Sequence, residues 1–344
     1  MQKRELNIDF LRVIAIIGTI IIHVSNIYVY SFNRISNLEY LFSISFNLLA
    51  RICVPLFFMI SGAFLINETF DFKKYKKRII KYLIILIIWS IIYYFFNNTN
   101  YDNIISDLFS SLFDSTKTSR HLWYMYALLG LYIALPFVSN MCKNLTRQQE
   151  NLFIILWLIF SGLDIFYAPL GKLFIGDYFK VTYPIPIINS TYYLGYFVIG
   201  YILHNRFKDK KIDKKHNIYL ILTYLLSNII PITITYFISI KTNTIYESMF
   251  WYRSIFIAIS SFVIFSLVIF NKDKFSNKRI INISNYSFGI YLIHMIFIEI
   301  IKEHFNLIQY SSIYMIPLIT IIVFGLSLVS CFVLKKLPLI RNIL

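Results

Sequence analysis

Ten residues separate Arg12 from His23 inside an apolar run, Ile8 to Tyr30, that contains DFLRVIAIIGTIIIHV. An ionisable group in a membrane span is costly, so each is a functional-site candidate from the outset. Eleven steps along a helix of 3.6 residues per turn make about three turns. Both side chains then share one face, roughly 16 Å apart along the axis. A cation near one membrane surface and an imidazole deeper in describe a path from headgroup level to a reaction centre. A neutral imidazole at that depth can take a proton from a hydroxyl. Asp9 lies three residues before Arg12 and can pair with it. N-terminal capping of the helix is its expected job.

Four further segments carry residue types that can do chemistry. RICVPLFFMISGAFL holds Arg51 near the middle of a second span, where a guanidinium must meet a carboxylate, carbonyls, water or a ligand. Pro55 should kink that helix, and Ser61-Gly62 allows close approach of a ligand or another backbone. SNYSFGIYLIHMIFIEI sets Ser287, Tyr291 and His294 at i, i+4, i+7, on one helix face and at a depth close to that of His23. HLWYMYALLGLYIALPF places His121 and Trp123 at an outer interface, where a sugar can stack on the indole. Lys73, Lys74, Lys76, Lys77, Arg78 and Lys81 form a cationic patch able to hold the phosphates of a nucleotide-like donor such as coenzyme A. Topology and lipid contact explain the same patch without a ligand.

These residues need a membrane scaffold to position them. The chain of 344 residues is 58% hydrophobic and only 15% charged, which identifies a polytopic membrane protein. The expected fold is an all-α bundle of ten spans forming a single domain over 1–344. The spans are 8–30, 41–66, 79–97, 122–138, 151–168, 190–204, 217–238, 250–271, 280–300 and 313–334. The first is too long for a signal-peptide core and lacks a cleavage site. A net charge of +16 raises nucleic acid as a partner, but its distribution removes that reading. With a cytoplasmic N-terminus, 23 Lys and Arg fall on inside segments and 8 on outside ones. Both termini are therefore expected to be cytoplasmic.

No internal repeat supports a repeat-built transporter. Outside loops 98–121 and 169–189 could shape a vestibule, the first with a short interfacial helix, and basic loop 205–216 should lie near anionic lipid. Cys53, Cys142 and Cys331 have neither metal nor disulfide spacing and read as buried small hydrophobes.

IDFLR-x10-H, RICVPLFFMISG, HLWY with Tyr132 and Pro136, and SFGIYLIH occur in this order along nearly the whole chain. In this the chain resembles acyltransferase family 3, the bacterial integral-membrane O-acyltransferases. It looks most like short members such as the enterobacterial common antigen O-acetyltransferases, without an appended soluble domain. The resemblance implies His23 as the base and Arg12 as its basic partner. It implies acetyl-CoA as donor, reached from the cytoplasm, and a carbohydrate or glycolipid hydroxyl as acceptor, in a bacterial cell membrane. Many members show Arg-x-x-Arg after the second span. Here Arg78-x-x-Lys81 keeps the charge but loses one bidentate fork.

The resulting expectation is acyl transfer from CoA to a hydroxyl without a metal. Arg12, His23, Arg51, Tyr291 and His294 would be catalytic, with Arg51, Tyr291 or a backbone N–H facing the oxyanion. Lys77, Arg78, Lys81 and Ser61 would bind the donor, and His121 and Trp123 the acceptor. The alternative is an exporter or flippase of a polysaccharide or lipid-linked sugar, which would not need Arg12 paired with His23. A sensor or scaffold leaves the intramembrane Arg and His unexplained.

Overall fold

The computed structural model describes residues 4–97, 104–111, 119–174, 192–277 and 280–337. The described residues are helical, with connecting turns and no strand. The helices are α1 Leu6–Val29, α2 Asn37–Ala50, α3 Cys53–Leu65, α4 Phe72–Asn97, α5 Ile104–Ser111 and α6 Trp123–Asn144. There follow α7 Arg147–Phe174, α8 Tyr192–Phe207, α9 Lys214–Thr242, α10 Ile255–Phe270, α11 Ile280–His304 and α12 Ser312–Leu334. Eight helical stretches among the described residues are long and apolar enough to cross a membrane. The remaining two expected spans correspond to α7 and α8, with ends shifted by a few residues.

The second span is two helices rather than one. Pro55 has no N–H, and its ring clashes with the carbonyl four residues back, that of Arg51. The chain responds with a turn at Arg51–Ile52 between α2 and α3. Arg51 thereby becomes the C-cap of α2, inside the bundle, where a straight helix would have carried it past. The start of α2 is fixed by a capping box. Ser36 accepts from the Glu39 N–H, and the Glu39 carboxylate accepts from the Ser36 N–H at 3.0 Å. The expected short helix in the first outside loop is α5; residues 98–103, 112–118 and 175–191 of the two loops lie outside the described residues.

Helix α1 is the axis of the bundle, packing against α2, α3, α10, α11 and α12. Its Ile8, Leu11, Ala15, Ile16 and Ile20 are fully buried, an aliphatic stripe beside the one that bears Arg12 and His23. Helices α3 and α8 pack closely because two glycines face across the contact. A Cβ on Gly62 would run into the Phe197 carbonyl, and one on Gly200 into the Met59 backbone. The Ser61-Gly62 pair thus divides its labour, with Gly62 serving helix packing.

Cations collect at one end of the bundle, and the contacts there join the N-terminus of α1 to the ends of α8 and α11. Glu5 accepts from His204 at 3.0 Å and Arg4 reaches Asn285 at 2.9 Å. Lys335, beyond α12, donates to the Asn285 carbonyl at 2.7 Å. All three cysteines are free and buried.

The two helix glycines of different surroundings give a test of the packing. Gly62→Ala must push α3 from α8 and should cost about 1–3 kcal/mol, the usual range for overpacking. Gly130→Ala has nothing within 4 Å of the added methyl and should lose nothing. Thermal unfolding of the two variants in one detergent compares them directly.

Candidate active site

Two cavities lie one above the other along α1. The one nearer the basic end has a volume of about 250 Å³ and is lined by Arg12, Ser61, Phe64, Tyr82, Tyr132 and Ser287, among others. The second, about 510 Å³, is lined by His23, Arg51, Arg120, His121, Trp123 and Tyr252. Phe57, Tyr124 and Tyr291 line both and form the wall between them. The Tyr124 ring meets Tyr291 at 5.5 Å and Phe57 at 6.0 Å, in T-shaped and tilted arrangements. The stripe read from the sequence is therefore present: three turns of α1 carry Arg12 into the lower cavity and His23 into the upper one.

Arg12 is held by Asp9, which is fully buried. The Asp9 carboxylate accepts from Arg12 at 2.8 Å, Arg4 Nε at 2.6 Å and Ser284 Oγ at 2.7 Å. This corrects the capping expectation. The N-cap is Glu5 and makes no side-chain cap bond, while Asp9 is the node between α1 and α11. A buried carboxylate needs charged partners, and those found here outweigh exposed backbone N–H groups. Arg12 also lies over the Phe64 ring, 5.8 Å from its centre.

Three imidazoles meet beside the upper cavity, two of them, His23 and His121, in its lining. The His23 ring lies 5.2 Å from His294 and 6.3 Å from His121, and His121 lies 5.2 Å from His294. His294 is fully buried behind His23. Its Nδ1 lies 2.7 Å from the Tyr291 carbonyl. A carbonyl only accepts, so Nδ1 carries the proton there and Nε2 presents a lone pair. That Nε2, and the Nε2 of His121, are buried without a hydrogen-bond partner. His121 Nδ1 is 2.7 Å from Ser119 Oγ. Among the described residues no cluster of His, Cys, Asp and Glu has the arrangement of a metal site.

The remaining expected residues divide by position. Ser287, Tyr291 and His294 do share a face of α11 and rise along it: lower cavity, wall, imidazole cluster. Tyr291 donates its hydroxyl proton to the His121 carbonyl at 2.6 Å, so that proton is already used. Trp123 lines the upper cavity beside Tyr193 and Tyr252, at 5.2 and 5.6 Å. His121 is not an interfacial anchor; it is buried at 3% exposure among the other imidazoles. The donor-side cations sit apart from the lower cavity. Arg78 pairs with Glu68 at 2.9 Å and lies 5.9 Å from the centre of the Tyr132 ring, which does line it. Lys77 and Lys81 are exposed.

Sequence reasoning passed over Asn47, which is fully buried. It accepts from Arg51 Nε at 2.9 Å and donates to Ser25 Oγ and Asn26 Oδ1, both at 2.8 Å. Its i, i+4 spacing to Arg51 was the available signal. Tyr252 and Phe250, whose rings lie 5.5 and 5.3 Å from the Arg51 guanidinium, come from a distant segment and gave none.

The acyltransferase domain family matches residues 5–336 of the chain. The protein is thus a multi-pass membrane acyltransferase, and it belongs to acyltransferase family 3. No curated protein and no solved structure matches it.

The Asp9 node yields a graded expectation. Asp9→Ala strips two guanidinium contacts and should cost more than Ser284→Ala. About 1.5–3 kcal/mol is typical for a charged hydrogen bond, against about 0.5–1.5 kcal/mol for an ordinary one. Denaturation of each variant and of the pair measures this. Additive losses would show that Asp9 and Ser284 do not act as one unit.

Proposed function

We propose that the protein is an O-acetyltransferase of a bacterial cell membrane. It moves an acetyl group from acetyl-CoA to a hydroxyl of a cell-envelope carbohydrate or glycolipid. The observation that carries this reading is one helix stripe presenting Arg12 and His23 to two cavities, divided by three aromatic side chains. Donor and acceptor then approach the same wall from opposite ends.

The basic end is the cytoplasmic one in this reading, by the asymmetry of Lys and Arg. Lys77 and Lys81 attract the CoA phosphates. Arg78 binds them when a phosphate displaces Glu68. The pantetheine arm enters the lower cavity past Arg12 and Ser61. Its length is comparable to half of a hydrocarbon core of ~30 Å, enough to bring the thioester to the wall. The acceptor enters the upper cavity and stacks on Trp123.

His23 takes the proton of the acceptor hydroxyl. The oxygen attacks the thioester carbonyl and forms a tetrahedral oxyanion. Arg51 lines the same chamber, and its charge favours that oxyanion. Tyr291 acts on the cluster instead, through its bond to the His121 carbonyl. When the carbon–sulfur bond breaks, the thiolate takes the proton back from His23, leaving an ester and free CoA. The Nε2 lone pair of His294 stabilises His23 while it carries the proton. No covalent enzyme intermediate and no metal enters this sequence.

His23→Ala removes the base and should lower turnover by about 10²–10⁴-fold without preventing insertion. Incubating membranes with radiolabelled acetyl-CoA measures it, and the labelled lipid or polymer identifies the acceptor. Wild-type turnover in the variant would refute the mechanism.

Sidedness is a separate test. In oriented vesicles, acetyl-CoA on the side of the basic loops should support transfer to an acceptor confined to the other side. Acetyl-CoA on the other side alone should not. Equal transfer to an acceptor on the basic side would remove the two-ended geometry and leave acyl transfer standing.

A further inference from the structure

The upper cavity carries more positive charge than a single tetrahedral oxyanion requires. Two guanidiniums, Arg51 and Arg120, line it, and one carboxylate, Glu299. Glu299 is already paired with Lys302 at 2.7 Å. Among the described residues, no carboxylate lies within ion-pair distance of Arg51 or Arg120.

Arg51 is pre-positioned, and the backbone that carries Arg120 is fixed. Arg51 is fixed through Nε by Asn47 and lies against the Phe250 and Tyr252 rings. Arg120 opens the turn Arg120–Leu122, and that turn is pinned on each side. Ser119 Oγ meets His121 Nδ1 at 2.7 Å, the Leu122 N–H donates to the Ser119 carbonyl at 3.0 Å, and Tyr291 holds the His121 carbonyl. The Arg120 side chain is exposed at the cavity edge, next in sequence to an imidazole of the cluster. A guanidinium held as Arg51 is pays little ordering entropy on meeting an anion, and a fixed backbone keeps the Arg120 side chain within reach of the same space. Their planar forks suit carboxylate and phosphate oxygens.

We propose that the upper chamber selects an acidic acceptor: a sugar bearing a carboxylate or a phosphate, bound through Arg120 with help from Arg51, its free hydroxyl turned to His23. This rests on the reading of the upper cavity as the acceptor site and adds the class of acceptor it takes. Arg120 is here a specificity residue, not part of the proton-transfer machinery.

Binding separates this proposal from catalysis, because it is measured without acyl-CoA. The protein is placed in phosphatidylcholine nanodiscs, so that no anionic lipid competes. Three probes are titrated by calorimetry: methyl β-glucoside, methyl β-glucuronoside and methyl β-glucoside 6-phosphate. One charge-assisted contact is worth about tenfold or more in affinity. One or both acidic probes should therefore bind at least about tenfold tighter than the neutral one. Whichever acid is preferred tells carboxylate from phosphate. Arg120→Gln should erase most of that preference, and Arg120→Lys should keep a larger part of it. Equal binding of all three probes, or a preference untouched in Arg120→Gln, overturns the proposal. Acetyl transfer to a neutral acceptor alongside either result would leave the acyltransferase reading intact. An acid preference without any acetyl transfer would instead overturn the O-acetyl reading and leave the chamber as an anion-selective sugar site.

Discussion

A charged group inside a membrane bundle must find a partner inside it, and this constraint organises the whole protein. Most of the chain is aliphatic and aromatic surface turned to lipid or packed in a core that any similar sequence would fill. Among the described residues the ionisable exceptions include Asp9, Arg12, Arg51, His204 and the three clustered histidines. Asp9 is satisfied by Arg4, Arg12 and Ser284, which ties α1 to α11. Arg51 is satisfied in part by Asn47, which ties α2 to α1 through Ser25 and Asn26. These polar contacts tie helices together and at the same time seat one arginine at each cavity.

The bundle was legible because its signals are local. A span is a run of apolar residues, and the Lys and Arg balance marks its ends. The α1 stripe needed only the helical repeat, and the α11 face with Ser287, Tyr291 and His294 needed only i, i+4, i+7. What was not legible depends on how far a loop carries a side chain. His121 sits beside Trp123 in a sequence that looks interfacial, yet the turn Arg120–Leu122 folds it inward to 4.9 Å from Tyr93 and 5.2 Å from His294. Asp9 was misjudged for another reason. Its four-residue neighbourhood on α1 allows a cap as well as a pair, and the deciding partners, Arg4 and Ser284, come from outside it. The break at Arg51 was half legible: Pro55 signals disruption, but whether a helix bends or splits depends on how its neighbours take up the freed groups.

The split has a consequence for chemistry. A straight helix presents one side chain per 100° of turn, so a guanidinium at Arg51 would be committed to whatever helix faced it. Ending α2 at Arg51 leaves the side chain at a corner between two helices. There it is fixed by a residue of its own helix, Asn47, and flanked by rings from the segment before α10. Its charge is held in place, and among the described residues no carboxylate lies within ion-pair distance of it. Such a cation keeps a field in the upper cavity that water-exposed lysines at the other end cannot produce, because solvent screens them.

The wall of Phe57, Tyr124 and Tyr291 is where the two cavities become one device. An open channel of this polarity would pass water and ions, and water would compete with the acceptor for the acyl group. Aromatic rings close the path. Tyr291 is tied further, to the imidazole cluster. Its hydroxyl is bonded to the His121 carbonyl, and its own carbonyl receives the His294 Nδ1 proton. One residue therefore lines both cavities with its ring, holds the backbone of His121 with its hydroxyl and takes the His294 Nδ1 proton on its carbonyl. A displacement of that ring from the lower cavity would therefore disturb both histidine contacts, so the two cavities are joined mechanically at Tyr291.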